Sequence, residues 1–168
     1  AHLAVDVPRF RYVRLDRQKV PAVYGGRFQE HLPLGFAELT PGRDLAILAC
    51  GFLVHTALEA AAILKKRGIS AGVIDLFRVK PIDPARLAAA LKPYRAVMTV
   101  EEQLLDGGFG SAVLEALGEA DAARPVRRLG MQDGFEVQNG HRSDLHAAYG
   151  IDIPHILGAA EALAARSA

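Results

Sequence analysis

From residue 36 onward, short continuous apolar runs alternate with apolar positions at helical spacing. Leu45 to Cys50 is unbroken by any polar residue and predicts a strand buried on both faces. Leu53, Val54, Ala57, Leu58, Ala61 and Leu64 then recur at a helical period. Lys65, Lys66 and Arg67 suit the negative end of that helix dipole, and Gly68 suits its cap. The alternation continues. Ala71 to Leu76 reads as a strand, and Asp83-Pro84 opens a helix with an N-cap and a first-turn proline. Arg86 to Leu91 continues that helix until Pro93, and Ala96 to Val100 reads as the next strand. A helix over Ser111 to Leu117 is entered through Gly107, Gly108 and Gly110, and Val126 to Leu129 is a strand. Ser143 is expected to cap a short helix that ends at Tyr149-Gly150, with His146 on its exposed face. Pro154 to Ala165 predicts a final Ala-rich helix.

Such alternation defines an α/β fold, expected as three layers with helices on both faces of a mainly parallel sheet. Phe36 to Leu39 predicts one further strand, followed by Thr40-Pro41-Gly42-Arg43 with Pro and Gly where a type II turn takes them. A tight turn cannot join two parallel strands, so this strand is expected to run antiparallel in a five-stranded mixed sheet. Residues 1–35 read differently. Phe10-Arg11-Tyr12-Val13-Arg14-Leu15 has a strand-like pattern, and Pro21, Gly25, Gly26 and Pro33 punctuate a linker. Phe10, Tyr12, Val13, Val20, Val23, Tyr24 and Phe28 have few regular elements in which to be buried. In the chain alone they are expected either to leave an exposed, self-associating patch or a mobile segment, or else to fold back on the sheet and complete a compact monomer.

At 168 residues and 51% hydrophobic, the chain can bury a sizeable core and is not of disordered composition. A net charge of +1 offers no basic stripe for nucleic acid. No apolar stretch is long enough to span a bilayer, and Ala1 to Asp6 does not read as the start of a signal peptide. Cys50, the single cysteine, lies in an apolar run and is expected to be a buried thiol in a reducing, cytoplasmic setting.

Candidate chemistry is sparse. Gly107-Gly108-Phe109-Gly110-Ser111 leads into a helix and could cradle a phosphate, or could be a tight strand-to-helix connection. It matches neither the Walker pattern nor the dinucleotide fingerprint. Glu101 and Glu102 sit at the end of a strand, where adjacent side chains face opposite ways. They are therefore poor partners in acid/base work; one could cap the glycine loop or meet another domain. His141, Arg142, Ser143, Asp144 and His146 contain the letters of a hydrolase triad without a nucleophile elbow. The two histidines lack a third ligand at zinc spacing.

Arg43 to Gly51, Asp75 to Asp83, Thr99-Val100-Glu101-Glu102 and Gly107 to Ser111, in this order and at these spacings, resemble the C-terminal domain of the transketolase family. The resemblance covers residues 36–152, and places residues 1–35 at the end of a preceding pyrimidine-binding domain with its linker, and residues 36–168 in the C-terminal domain proper. It implies a parent enzyme that uses thiamine diphosphate and Mg²⁺ to transfer two-carbon ketol units between sugar phosphates. In such a parent this domain supports homo-oligomer assembly with other domains or subunits. Val13-Arg14-Leu15-Asp16-Arg17-Gln18 resembles the family segment whose Arg grips the sugar phosphate, which maps that role to Arg17; Asp16 stands where the family often has Ser or Gly. The family's diphosphate site is Gly-Asp-Gly followed some distance on by Asn. Gln132-Asp133-Gly134 lacks the first Gly, and Asn139 follows too soon. The resemblance thus implies that this chain by itself carries no catalytic residue and binds no cofactor. The same segments occur in deoxyxylulose-phosphate synthases and in beta subunits of 2-oxo acid dehydrogenases; Arg14 to Gln18 favours transketolase. A stand-alone regulatory or small-ligand module, with its site at the carboxyl edge of the sheet, is the reading from another class.

Overall fold

Strand β2 (Leu45–Ala49) runs through the middle of a five-stranded sheet, and all of its side chains are buried. In the computed structural model, which describes residues 10–134 and 140–167, β2 is flanked by β3 (Ala71–Asp75) and β4 (Ala96–Leu104), both parallel to it. β5 (Val126–Met131) pairs parallel with β4, and β1 (Ala37–Thr40) pairs antiparallel with β3, giving the order β1-β3-β2-β4-β5. The short helix α1 (Phe28–His31) precedes the sheet. The crossovers are α2 (Leu53–Lys66), α3 (Pro84–Leu91) and α4 (Phe109–Glu119), and α5 (Arg142–Ala148) and α6 (Ile153–Arg166) close the chain.

The period of two along the strands divides the core into two sides. Leu45, Ile47, Val73, Ala96 and Met98 face α2 and α6, whose alanines Ala57, Ala60 and Ala160 allow close approach. Ala46, Leu48, Ile74 and Val97 face α3 and α4 and pack on Leu87, Leu91, Phe109 and Val113. The three-layer, mainly parallel α/β sheet expected from the sequence is therefore the observed one, with β1 as its single antiparallel strand. Asp83 caps α3 as expected, its carboxylate accepting the Arg86 N–H at 3.0 Å.

Three local expectations are corrected. β1 pairs with β3 and not with β2, the strand next to it in sequence. Pro41-Gly42 forms no type II turn, because Gly42 is not in the left-handed region. It is glycine for closeness: a Cβ there would lie 2.2 Å from the backbone N of Gly72. Arg43 N–H and Asp44 N–H instead both donate to the Ser70 carbonyl, tying this connection to the start of β3. Finally, α5 is capped two residues earlier than expected, by His141 in place of Ser143, with Asp144 accepting the His141 N–H at 3.0 Å. His146 is consequently turned inward and is buried, not exposed.

Candidate functional site

The chain leaves β2 for β3 on one side and returns past it to β4 on the other. A crevice therefore opens at the carboxyl ends of β2 and β4, the switch point at which open α/β sheets bind ligands. Cys50, Gly51 and Phe52 follow β2 there, and Glu101 and Glu102 lie on β4 beyond its last pairing with β2, Val100 opposite Ala49.

The two glutamates face opposite ways, as strand geometry demands. Glu101 is fully buried, and its Oε1 accepts the N–H of Gly110 at 2.8 Å in the first turn of α4. Burial pushes its carboxyl upward, offset in part by the Gly110 and Phe109 amides and by Arg128. Glycine is required beside it, since a Cβ on Gly110 would stand 2.8 Å from Glu101 Oε1 and one on Gly108 2.3 Å from Oε2. The glycine loop thus receives an internal carboxylate at the helix N-terminus, where a phosphate would otherwise bind. Of the two roles open to Gly107 to Ser111, the structure supports the tight connection.

Glu102 points to α5. Its Oε1 accepts Arg142 Nε at 2.6 Å and lies 2.7 Å from His146 Nε2, while its Oε2 accepts Arg142 Nη2 at 2.7 Å. Burial works to raise the Glu102 carboxyl, but the Arg142 and His146 hydrogen bonds outweigh it and hold the group below its ordinary range. The outer edge of the same guanidinium reaches the N-terminal segment. Nη1 donates to Asp16 Oδ1 and to Gln18 Oε1, both at 3.1 Å, and Nη2 donates to Asp16 Oδ2 at 2.6 Å. Arginine has five N–H groups, and each of the five is used here. The guanidinium carbon also sits 4.3 Å from the centre of the Phe52 ring. Arg142 is accordingly held well above its ordinary range by its Glu102 and Asp16 bonds, and Asp16 is held down to about 2, chiefly by Arg142. A cleft of about 660 Å³ lies beside this cluster, lined in part by Phe52, Thr56, Arg142 and His146.

Arg17 lies between the two clamped residues with its own guanidinium exposed and bonded to no other described residue. Cys50 is half-buried, and desolvation, followed by the charges of Asp75 and Glu101, pushes its thiol up to about 11, which favours the protonated thiol over the nucleophilic thiolate at neutral pH. The triad letters do not assemble: His146 is engaged with Glu102, and the Ser143 hydroxyl is 3.4 Å from Asp144 Oδ1. Among the described residues, no group of three or more His, Cys, Asp or Glu is arranged to hold a metal ion. Gln132-Asp133-Gly134 is exposed after β5, and Asn139 lies outside the described residues. No helix among the described residues is long and apolar enough to cross a membrane. Sequence reasoning missed Arg142 as the hub, because its partners come from distant parts of the chain. The available signal was an arginine among polar residues at the start of a short helix.

Fold and crevice define an open, mainly parallel α/β domain with a segment strapped over its carboxyl edge. The chain belongs to the transketolase C-terminal domain family, whose model, described as "Transketolase, C-terminal domain", matches residues 36–156. It is 48% identical over 124 residues to a 1-deoxy-D-xylulose-5-phosphate synthase of Synechococcus sp., covering 73% of this chain and 19% of that protein. It is 38% identical over 151 residues to one of the subunits of the apulose-4-phosphate transketolase of Phocaeicola vulgatus, covering 89% of this chain and 47% of that relative. Among solved structures, an inactive β4 tetramer of a split-gene transketolase matches with a TM-score of 0.79 at 34% identity, over 90% of this chain and 49% of that one. The transketolase of Leishmania mexicana shares the fold, with a TM-score of 0.60 at 23% identity over 85% of this chain and 20% of that one. The chain thus spans less than half the length of these curated relatives.

Proposed function

We propose that this chain is the C-terminal part of a thiamine-diphosphate-dependent transketolase, which transfers two-carbon ketol units between sugar phosphates. One observation carries the reading: Arg17 is exposed between two residues fixed to the domain, Asp16 and Gln18. A planar guanidinium held in this way suits a phosphate oxyanion. The similarity to a split-gene transketolase over 90% of the chain, a span that takes in part of the N-terminal segment, supports the same reading.

Thiamine diphosphate and Mg²⁺ belong, on this reading, to the remaining domains or subunits of the parent enzyme. The residues here do not fit a diphosphate: Glu101 already fills the N-terminus of α4, and Gln132-Asp133-Gly134 lacks the first glycine of the family pattern. The contribution of this chain is to present Arg17 and to assemble with its partners, other domains or subunits of the same enzyme and a second copy of itself. Phe10, Tyr12 and Leu15 are exposed on the N-terminal segment and suit such contacts. A free, protonated Cys50 accords with a cytoplasmic setting.

The test has two stages. Titration calorimetry of the chain alone with thiamine diphosphate and Mg²⁺ is expected to give no saturable binding, and micromolar binding would overturn the reading. The chain combined with its remaining domains or subunits is then expected to move ketol units between sugar phosphates. A second reading is favoured by the 48% identity to a 1-deoxy-D-xylulose-5-phosphate synthase. Formation of 1-deoxy-D-xylulose 5-phosphate by the assembled enzyme, without ketol transfer, would establish it.

A further inference from the structure

We infer that Arg142 is a positioning residue for Arg17, acting through Asp16 and Gln18; the inference rests on the phosphate role proposed for Arg17 and deepens it. The inner edge of the Arg142 guanidinium is fixed by elements of the domain itself. Glu102 on β4 grips it with both oxygens at 2.6 and 2.7 Å, Phe52 lies against its face at 4.3 Å, and His146 holds Glu102 at 2.7 Å. The outer edge is thereby aimed before the N-terminal segment arrives.

Among the described residues, that segment has little else to hold it. Residues 10–22 are exposed and form no helix or strand. Asp16 spans the outer edge with both oxygens, at 3.1 and 2.6 Å, and Gln18 adds a bond at 3.1 Å. These bonds flank Arg17 on both sides, so its backbone is pinned at the residue before it and the residue after it. A charged, two-pronged contact supplies direction as well as strength. A serine side chain at residue 16 would offer one acceptor oxygen and a glycine none, whereas the two oxygens of aspartate match the fork. Pre-placing a phosphate-binding guanidinium removes an ordering cost from substrate binding. Loss of the clamp should therefore weaken binding of phosphorylated substrate and leave the chemical step nearly intact.

Asp16→Ala is the main variant, because Asp16 lies outside the folded layers and its loss leaves the Arg142–Glu102 pair in place. Arg142→Lys is the second, since lysine keeps the charge and loses the fork. On the full chain, limited trypsin cleavage after Arg17 is expected to accelerate about 10- to 100-fold in both variants, with the thermal midpoint of the domain nearly unchanged for Asp16→Ala. In the enzyme assembled with its remaining parts, KM for a phosphorylated sugar should rise about tenfold or more while kcat stays within about twofold. KM for the unphosphorylated sugar should not move. Arg17→Ala separates the two layers of the claim. An unchanged preference for phosphorylated sugar in Arg17→Ala overturns the phosphate role itself. A changed preference in Arg17→Ala, without one in Asp16→Ala or Arg142→Lys, overturns the positioning role alone. Wild-type cleavage rates in both variants overturn the clamp.

Discussion

Glu101 and Glu102 differ by one position and are held in opposite ways. Glu101 satisfies a buried backbone amide of α4, and burial raises its carboxyl. Glu101→Ala removes that acceptor and is expected to cost about 1–3 kcal/mol. Glu101→Gln keeps an oxygen for Gly110 and should cost less; urea titration of both variants tests the difference. Glu102 belongs to the clamp, where its charge faces Arg142 and His146. Asp16 faces Arg142, and its carboxyl is lowered from 3.8 to about 2 in the fold. A group depressed on folding contributes fully above its unfolded value, and that contribution fades as pH falls through the folded one. The clamp should therefore be intact at neutral pH and release as pH drops from about 4 towards 2. Amide relaxation of residues 15–19, followed from pH 6 downward, should show mobility rising in that window; mobility already present at pH 6 would contradict it.

At the scale of elements, β1 and α5 are where local sequence signals misled. Pro41-Gly42 resembles a turn, yet its glycine answers to the backbone of Gly72 in a strand that begins far downstream. Gly42→Ala would bring a methyl 2.2 Å from that backbone nitrogen, with no flexible side chain to give way. An overpacking cost of about 1–3 kcal/mol is expected, read as a lower denaturant midpoint at unchanged slope. In α5, Ser143 is a good N-cap residue, but His141 takes the position because Arg142 must begin the helix to meet Glu102. The same rotation brings His146 inward. By contrast α3 and α6 begin at Asp83-Pro84 and Asp152-Ile153-Pro154, and aspartate caps both. At Asp83 the local signal agrees with the packing and is read directly; Asp152 carries the same signal just ahead of the Ala-rich helix.

Across the whole molecule, the folded layers and the N-terminal segment differ in kind. Phe10, Tyr12 and Leu15 are 108%, 91% and 83% exposed, an apolar strip that no described element covers. The chain at high concentration is expected to self-associate through it. A chain starting at Arg27 should stay folded and monomeric by light scattering. Its stability should fall by about 1–3 kcal/mol, because Asp75, buried in the sheet, loses the hydroxyl donated by Tyr24. Continued self-association of the shortened chain would place the contact on the α/β layers instead.

The sequence by itself determined the order of strands and helices, the parallel majority of the sheet and the family. These depend on periods of two and 3.6 residues, on caps within four residues and on ordered short segments, all of which are local. It also singled out Arg17 and allowed that one glutamate could cap the glycine loop. Tertiary structure decided which neighbour β1 pairs with, that Glu101 fills the helix terminus, and that Arg142 joins Glu102 to Asp16. Arg142 and Asp16 lie 126 positions apart, and no local pattern marks either as the other's partner. Their meeting follows from the crossing of the chain at the sheet's carboxyl edge. That arrangement is set by how whole layers bury apolar surface, and the polar side chains at the edge find partners only after the layers have formed.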